Sequence, residues 1–584
     1  MKRQYQIRSL SLAVIFSILA VLIVLQMLRI QASPEAATFL QQQADRYAGK
    51  YTTLFPERGR IFDRDGFLLA GNRSVYEIGV SLSEIRNART IALTLNTVLG
   101  LNYEKVYNDL LNPPDGIVYL VVTDFVSSEK AHELMKLKDR LDEEYTKPGD
   151  PSLTGLHFQA HLMRSYPEKS LASNVLGFVT LENRGYFGVE EKYNGLLAGV
   201  PVTVWVPEDP NRAAELPVTP HGADLILTID REIQAMVEEQ LRESLQDTGS
   251  EAGTMIVMDP RTGEILAMAS TPQMDLNNFS QYNEIYKNAS EFNRAVSIQY
   301  EPGSVFKVLT MAAAIDAGVV TPSSTYLDVG FYEIGGAYVY NWDKGAWGPQ
   351  DMLGCVQHSL NVCMARIADQ MGSDLFYTYM RRFGVGHPTG IDLAMEAAGR
   401  LKVPGDSDWY EVDLGTNSFG QGVAMTPIQM MAAASALAND GRMVYPHVLY
   451  GMVSNGHQYN TPVQTLGTPI SPQAARTVSE MLATSMEQGQ MASVVEGYRL
   501  AGKTGTAQIP GPDGFYLPNE INASFIGWGP VDDPRFMVYI WFEKPDSADW
   551  AAYVAAPVFH DLTEKLVVLM GIPPDDVRQR LVGQ

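Results

Sequence analysis

Three short motifs in the second half of the chain hold the groups needed for serine acyl transfer without a histidine: Ser304-Val-Phe-Lys307, Ser359-Leu-Asn361 and Lys503-Thr504-Gly505. They supply a nucleophilic hydroxyl, an amine able to take its proton, a second hydroxyl beside a carboxamide, and a cation ahead of a small, backbone-exposing residue. Ser359 follows Ser304 by 55 residues and Lys503 follows Ser359 by 144, a spread that fits within one domain. No single motif is specific. Ser127-Ser-Glu-Lys130 also matches S-x-x-K, and nothing around it supports the same chemistry. The order and the combination carry the signal.

Glu301-Pro302-Gly303 reads as a turn that feeds a helix beginning at Ser304. A helix N-terminus favours developing negative charge, and Lys307 lies one turn on, on the same face. A serine hydroxyl needs a base, and a lysine can serve only if burial or nearby cations lower its pKa from about 10.4. Alone, this motif would be a helix-capping serine and a surface lysine, and Ser359-Leu-Asn361 would be a helix start. Together, Ser359 becomes a proton relay and Asn361 a carboxamide for Lys307 or a substrate amide. Leu500–Gln508 reads as a strand along which a substrate peptide could lie at Gly505, with Lys503, Thr504 and Thr506 binding a carboxylate. The nine histidines are scattered and no C-x-x-C pair occurs, so neither a metal nor a cofactor is expected.

These motifs need a scaffold. A strand at Leu225–Thr228 leads into a helix capped by Asp230, and Thr254–Ser270 reads as two apolar strands across Pro260-Arg261-Thr262-Gly263. Ala523–Trp528 and Arg535–Phe542 form another pair, before a final helix from about Ala555 to Met570. Strands at both ends of a mostly helical segment imply an α+β domain with a mainly antiparallel central sheet. Upstream, Arg58–Ala70 reads as two strands around the Asp65-Gly66 turn, 83–145 carries helical patterning, and Ala37–Tyr47 suggests a helix. The proline-rich stretch 201–220 reads as an inter-domain connection.

At 584 residues two or three domains are expected. The net charge of −23 disfavours nucleic acid and anionic membrane surfaces as partners for the bulk of the chain. The start differs. Lys2, Arg3 and Arg8 precede an apolar run from Leu10 to Leu28, which as a helix reaches about 28 Å, close to the hydrocarbon thickness of a bilayer. A cleaved signal peptide has an apolar stretch of only about 7–15 residues and a small-residue cleavage site, so the run reads as an uncleaved anchor. Its positive flank keeps the N-terminus cytoplasmic and places the rest outside, as a single-pass protein. The resulting division is 1–9 cytoplasmic, 10–28 transmembrane, 29–221 juxtamembrane and pedestal, and 222–584 catalytic. Cys355 and Cys363 straddle Ser359-Leu-Asn361. On one continuous helix their Cα atoms would lie about 12 Å apart, beyond disulfide reach. A break in the loop would bring them together in an oxidising compartment, but two buried free thiols are the expectation.

With these residues in place the chain resembles the class B penicillin-binding proteins, membrane-anchored peptidoglycan D,D-transpeptidases. The resemblance covers the anchor, the Arg58–Ala70 start of the pedestal (dimerisation-type) domain, Gly188-Val-Glu190, Asp259-Pro-x-Thr-Gly-Glu-Ile-Leu-Ala, the three motifs, and Phe419-Gly-Gln-Gly422-x-x-x-Thr426-Pro427-x-Gln429. It implies the penicillin-binding/serine β-lactamase-like α+β fold for the catalytic domain. It also implies that Ser304 attacks the D-Ala–D-Ala carbonyl and Lys307 is the general base. Ser359 relays the proton, Asn361 orients substrate, and Lys503, Thr504 and Thr506 recognise the terminal carboxylate. The N–H groups of Ser304 and Thr506 would form the oxyanion hole. A second stem peptide would take the acyl group, and β-lactams would trap Ser304.

No glycosyltransferase signature precedes residue 222, so a partner that polymerises glycan, a polytopic membrane polymerase, is implied alongside other cell-wall machinery. The chain also stops soon after the last catalytic helix, without the C-terminal modules of some relatives. A serine β-lactamase shares the motifs but lacks the anchor and pedestal. A β-lactam sensor or scaffold would be acylated without transfer. A D,D-carboxypeptidase differs only in its acceptor, and the motifs leave it open. Division and elongation roles both remain compatible with the pedestal. His358, outside the family pattern, reads as packing or solvent-facing.

Overall fold

The computed structural model describes residues 2–32, 38, 49–114, 116–207, 221–489, 491–511, 513, 515–548 and 550–582. The chain divides into two units: Met1–Glu57 with Gly199–His221, and Arg58–Ala198 with Gly222–Gln584. In the first, the helix Lys2–Ala32 contains Leu10–Arg29, of mean hydropathy 2.7 and unburied by protein. Among the described residues it is the helix long and apolar enough to cross a membrane. Gly49–Leu54 and Val202–Pro207 form an antiparallel ribbon in the same unit. The expected helix at 37–47 lies, apart from Thr38, outside the described residues, as does most of 201–220.

The second unit is built on two sheets. One is five-stranded and antiparallel throughout, in the order Ile265–Ser270, Ala252–Met258, Phe536–Glu543, Tyr516–Gly529, Ala501–Pro510. The strands Ile265–Ser270, Ala252–Met258 and Phe536–Glu543 are buried on both faces because helices cover both. Arg231–Thr248 and Ala556–Leu569 pack with Ile233, Val237, Phe559 and Leu562 on one side. Lys307–Asp316, Asn361–Met371 and Pro427–Ala438 lie in the large core on the other. Asp230 caps its helix as expected, accepting from the N–H groups of Glu232 and Ile233. The final helix expected at 555–570 spans Ala556–Leu569, and a further short helix, Asp575–Val582, follows it.

The other sheet joins sequence-distant parts. Ile61–Phe62 pairs in parallel with Asp224–Leu227 and antiparallel with Leu68–Ser81, which in turn pairs with Tyr119–Ser127 and Leu156–Ser165. The Asp65-Gly66 turn is held by Asp63, whose buried carboxylate accepts from the N–H groups of Asp65 and Phe67. The helical reading of 83–145 holds for Ala88–Leu99, Tyr103–Leu111 and Ser128–Glu144 but misses the strand Tyr119–Ser127. That strand runs directly into a helix capped by Ser127, so the Ser127–Lys130 match is a helix cap, with Ser127 Oγ accepting from Lys130 N–H. Glu190, fully buried, accepts from Arg58 and Arg164 and from the hydroxyl of Tyr166, which ties the start of this unit to residues 164–190.

Candidate active site

The nucleophile turn is set by a glycine. Gly303 has φ +59°, and a Cβ there would lie 2.9 Å from both Thr506 O and Ala507 Cβ, so the turn rests directly on the edge strand Ala501–Pro510. Gly303 N–H donates to Gly420 O at 3.1 Å, which fixes it against the Phe419–Gly422 loop. Ser304 therefore sits in a short 3-10 turn, Gly303–Phe306, that leads into the helix Lys307–Asp316. It is half-buried and lines a cleft of about 870 Å³ with Ser359, Asn361, Thr504 and Thr506.

Lys307, 1% exposed, is directed at the second motif. Its Nζ donates to Ser359 O at 2.6 Å, Asn361 Oδ1 at 2.7 Å and Ser359 Oγ at 3.1 Å. Burial pushes its pKa well below the usual lysine range, and the charge of Lys503 pushes it further down. Lys503 is equally buried, and desolvation lowers its pKa to about 7. Its Nζ donates to Thr504 O at 3.1 Å. A buried ammonium with a second lysine charge nearby is hard to protonate. That is the condition under which a lysine can act as a base near neutral pH.

Ser359 has φ +54°, a left-handed conformation that costs a serine ~1–3 kcal/mol. It lies between the helices Met352–Gln357 and Asn361–Met371, and the reversal turns its carbonyl onto Lys307. The same break corrects the cysteine expectation. Cys355 and Cys363 form a disulfide, with Cα atoms 6.0 Å apart rather than about 12 Å, because the helix does not continue through the motif.

The edge strand alternates. Thr504, Thr506 and Gln508 line the cleft, whereas Gly505 faces the interior, where a Cβ would lie 2.5 Å from Ser524 Oγ and 2.8 Å from Val305 Cγ1. Gly505 is thus required by close approach of the strand to the nucleophile turn, not by a substrate lying on its backbone. Thr506 Oγ1 accepts from Ala551 N–H at 3.0 Å, which leaves its own hydrogen to donate into the cleft. Phe419 and Gln421 line the cleft, in agreement with the placement of that segment beside the site.

Sequence reading passed over the aromatic rim. Tyr340, Trp342, Trp347, Trp550 and Tyr553 also line the cleft, with Trp342 edge-on to Trp550 at 4.9 Å between ring centroids. His358 stacks on Trp347 at 4.3 Å, so it packs, and it also borders the cleft. The aromatic density of Tyr338-Val-Tyr-Asn-Trp342 was the available signal.

Residues 253–564 match the penicillin binding protein transpeptidase domain, and residues 53–201 match the penicillin-binding protein dimerisation domain. Stage V sporulation protein D of Bacillus subtilis is 32% identical over 531 residues, covering 89% of this chain and 79% of its own. Peptidoglycan D,D-transpeptidase FtsI of Escherichia coli is 28% identical, covering 92% and 87%. Among solved structures, penicillin binding protein 3 of Mycobacterium tuberculosis complexed with aztreonam superposes with a TM-score of 0.68 at 25% identity, covering 90% of this chain and 98% of that one.

Proposed function

The chain belongs to the class B penicillin-binding proteins, and we propose that it is a peptidoglycan D,D-transpeptidase that works through an acyl-enzyme on Ser304. The observation that carries this reading is the buried Lys307 ammonium site, with three contacts to Ser359 and Asn361 and a second cation beside it. A surface lysine would have none of these.

Neutral Lys307 takes the Ser304 proton as Oγ attacks the penultimate D-Ala carbonyl. The Ser304 and Thr506 N–H groups receive the developing oxyanion, each donor commonly worth ~3–4 kcal/mol. Ser359 Oγ, 3.1 Å from Lys307 Nζ, passes the proton to the departing D-Ala amine. Asn361 holds the lysine and orients the substrate. Thr504, Thr506 and the charge of Lys503 take the terminal carboxylate. An amine of a neighbouring stem peptide then attacks the ester, regenerating Ser304 and closing the cross-link. β-Lactams enter by the same step and stall there.

The division into an anchor at 10–28, a pedestal at 29–221 and a catalytic domain at 222–584 is part of this proposal, as is an extracytoplasmic catalytic domain. A polytopic glycan polymerase is its proposed partner, met through the anchor and pedestal. The reading is tested by giving the full-length protein in detergent a peptide ending in D-Ala–D-Ala together with an amine acceptor. D-Ala release with an acceptor-linked product supports transpeptidation. D-Ala release with the hydrolysed peptide alone makes it a carboxypeptidase, and no release from folded protein overturns the enzymatic reading.

A further inference from the structure

The segment 325–351 lies between the nucleophile helix and the Ser359 motif. It folds as two strand pairs, Thr325–Asp328 with Gly348–Asp351 and Phe331–Ile334 with Ala337–Tyr340. Three consecutive residues at the end of the second pair grip the motif on both sides of Ser359. Tyr340 O accepts from Asn361 Nδ2 at 3.1 Å, Asn341 Oδ1 accepts from Val362 N–H at 3.2 Å, and Trp342 Nε1 donates to His358 O at 3.0 Å.

The middle residue is itself anchored. Asn341, 2% exposed, donates through Nδ2 to both carboxylate oxygens of Asp328 at 3.0 Å and to Gly345 O at 3.1 Å. Asp328 is 1% exposed and also accepts from Gly330 N–H, Trp347 N–H and the Tyr326 hydroxyl. Among the described residues no cation pairs with it. A buried carboxylate held only by neutral donors is a costly arrangement, tolerable because every oxygen is satisfied.

The contacts have a chemical consequence. With Asn361 Nδ2 committed to Tyr340 O, the carboxamide can present only its oxygen to Lys307 Nζ, at 2.7 Å. We propose that Asn341, anchored on the Asp328 carboxylate, is a positioning residue for the reaction, fixing the first turn of the helix Asn361–Met371 so that Asn361 and Ser359 stay aligned on Lys307. This rests on the reading of Ser304, Lys307, Ser359 and Asn361 as the catalytic groups. The strand pairs at 325–351 thereby become the platform for the second motif, as the edge strand is for the first.

The test uses full-length protein in detergent and benzylpenicillin, with intact mass giving both the fraction of chains acylated at saturation and the acylation rate per competent chain. Asn341→Ala and Asn341→Asp should each slow that rate roughly 10–100-fold, the cost of a misplacement near 1 Å. The double variant Asp328→Asn with Asn341→Asp should recover part of the loss, because Asp at 341 keeps an oxygen for Val362 N–H and Asn at 328 supplies an amide donor to its other oxygen, while Gly345 O still lacks the donor it has from Asn341. A lower acylated fraction with a wild-type rate per competent chain would reduce Asn341 to a folding role and overturn the inference, as would a double variant no faster than Asn341→Asp. If Asn341→Asp yields no competent chains, Asn341→Ala decides by the same criterion. Wild-type protein that is not acylated would instead bring down the reading of the site, and this inference with it.

Discussion

Lys307 and Lys503 set the pH behaviour of the site in opposite directions. Lys307 must be neutral to accept the Ser304 proton, so acylation should fall on the acid side as Lys307 becomes protonated. Lys307→Met should slow it by roughly 10²–10⁴-fold, the usual worth of a positioned base. Lys503 must be charged to attract a carboxylate, yet burial lowers its pKa to about 7. A ligand carboxylate favours the charged form, so binding takes up a proton above that pH, and affinity should weaken by up to about tenfold per pH unit. Calorimetry of a D-Ala–D-Ala peptide on Ser304→Ala should show this decline between pH 7 and 9, and a C-terminally amidated peptide should not. An equal decline for both would remove Lys503 from carboxylate recognition. Ser304, Lys307, Ser359 and Asn361 were legible because each motif is short and local. Asn361 as a partner of Lys307 was legible from the combination of motifs, whereas the Ser359 carbonyl that also holds it was not, because it depends on a left-handed backbone turn.

At the scale of elements, the site depends on the closeness of the edge strand to the nucleophile turn. Gly505→Ala would place a methyl 2.5 Å from Ser524 Oγ and 2.8 Å from Val305 Cγ1. It should cost about 1–3 kcal/mol in denaturant unfolding and slow acylation by displacing Ser304 from Thr506. An unchanged acylation rate would show that the strand tolerates the shift. The disulfide closes a loop with a sequence separation of 8 around Ser359, and removing it as Cys355→Ala with Cys363→Ala should cost about 2–3 kcal/mol by loop entropy. Peptide mapping without reductant should recover residues 355 and 363 as one cross-linked species. The glycine's contacts could not be read from the sequence, and the disulfide stood there only as the alternative that a break at Ser359 would allow. The glycine's neighbours come from Ser524 and Val305, and the cysteines meet only because Ser359 adopts a left-handed turn that no local pattern announces. The strand Tyr119–Ser127 escaped for a related reason, since its alternation is short and it flows straight into a capped helix.

At the scale of the molecule, the α+β class and the antiparallel sheet followed from where the apolar runs stand, and the helix Lys2–Ala32 from its composition. The pairing of Ile61–Phe62 with Asp224–Leu227 did not, since parallel partners more than 160 residues apart leave no mark in either segment. The proposed topology places nearly the whole chain outside the membrane. Protease added to intact spheroplasts should therefore degrade everything but a short N-terminal fragment, and protection of residues 222–584 would contradict that orientation. The central claim, an acyl-enzyme on Ser304, is tested most directly by intact mass over time after benzylpenicillin is added to wild type and to Ser304→Ala. The account predicts one long-lived adduct of a single benzylpenicillin on wild type and none on the variant. An adduct that persists on Ser304→Ala, or one on wild type that disappears within seconds, would contradict it.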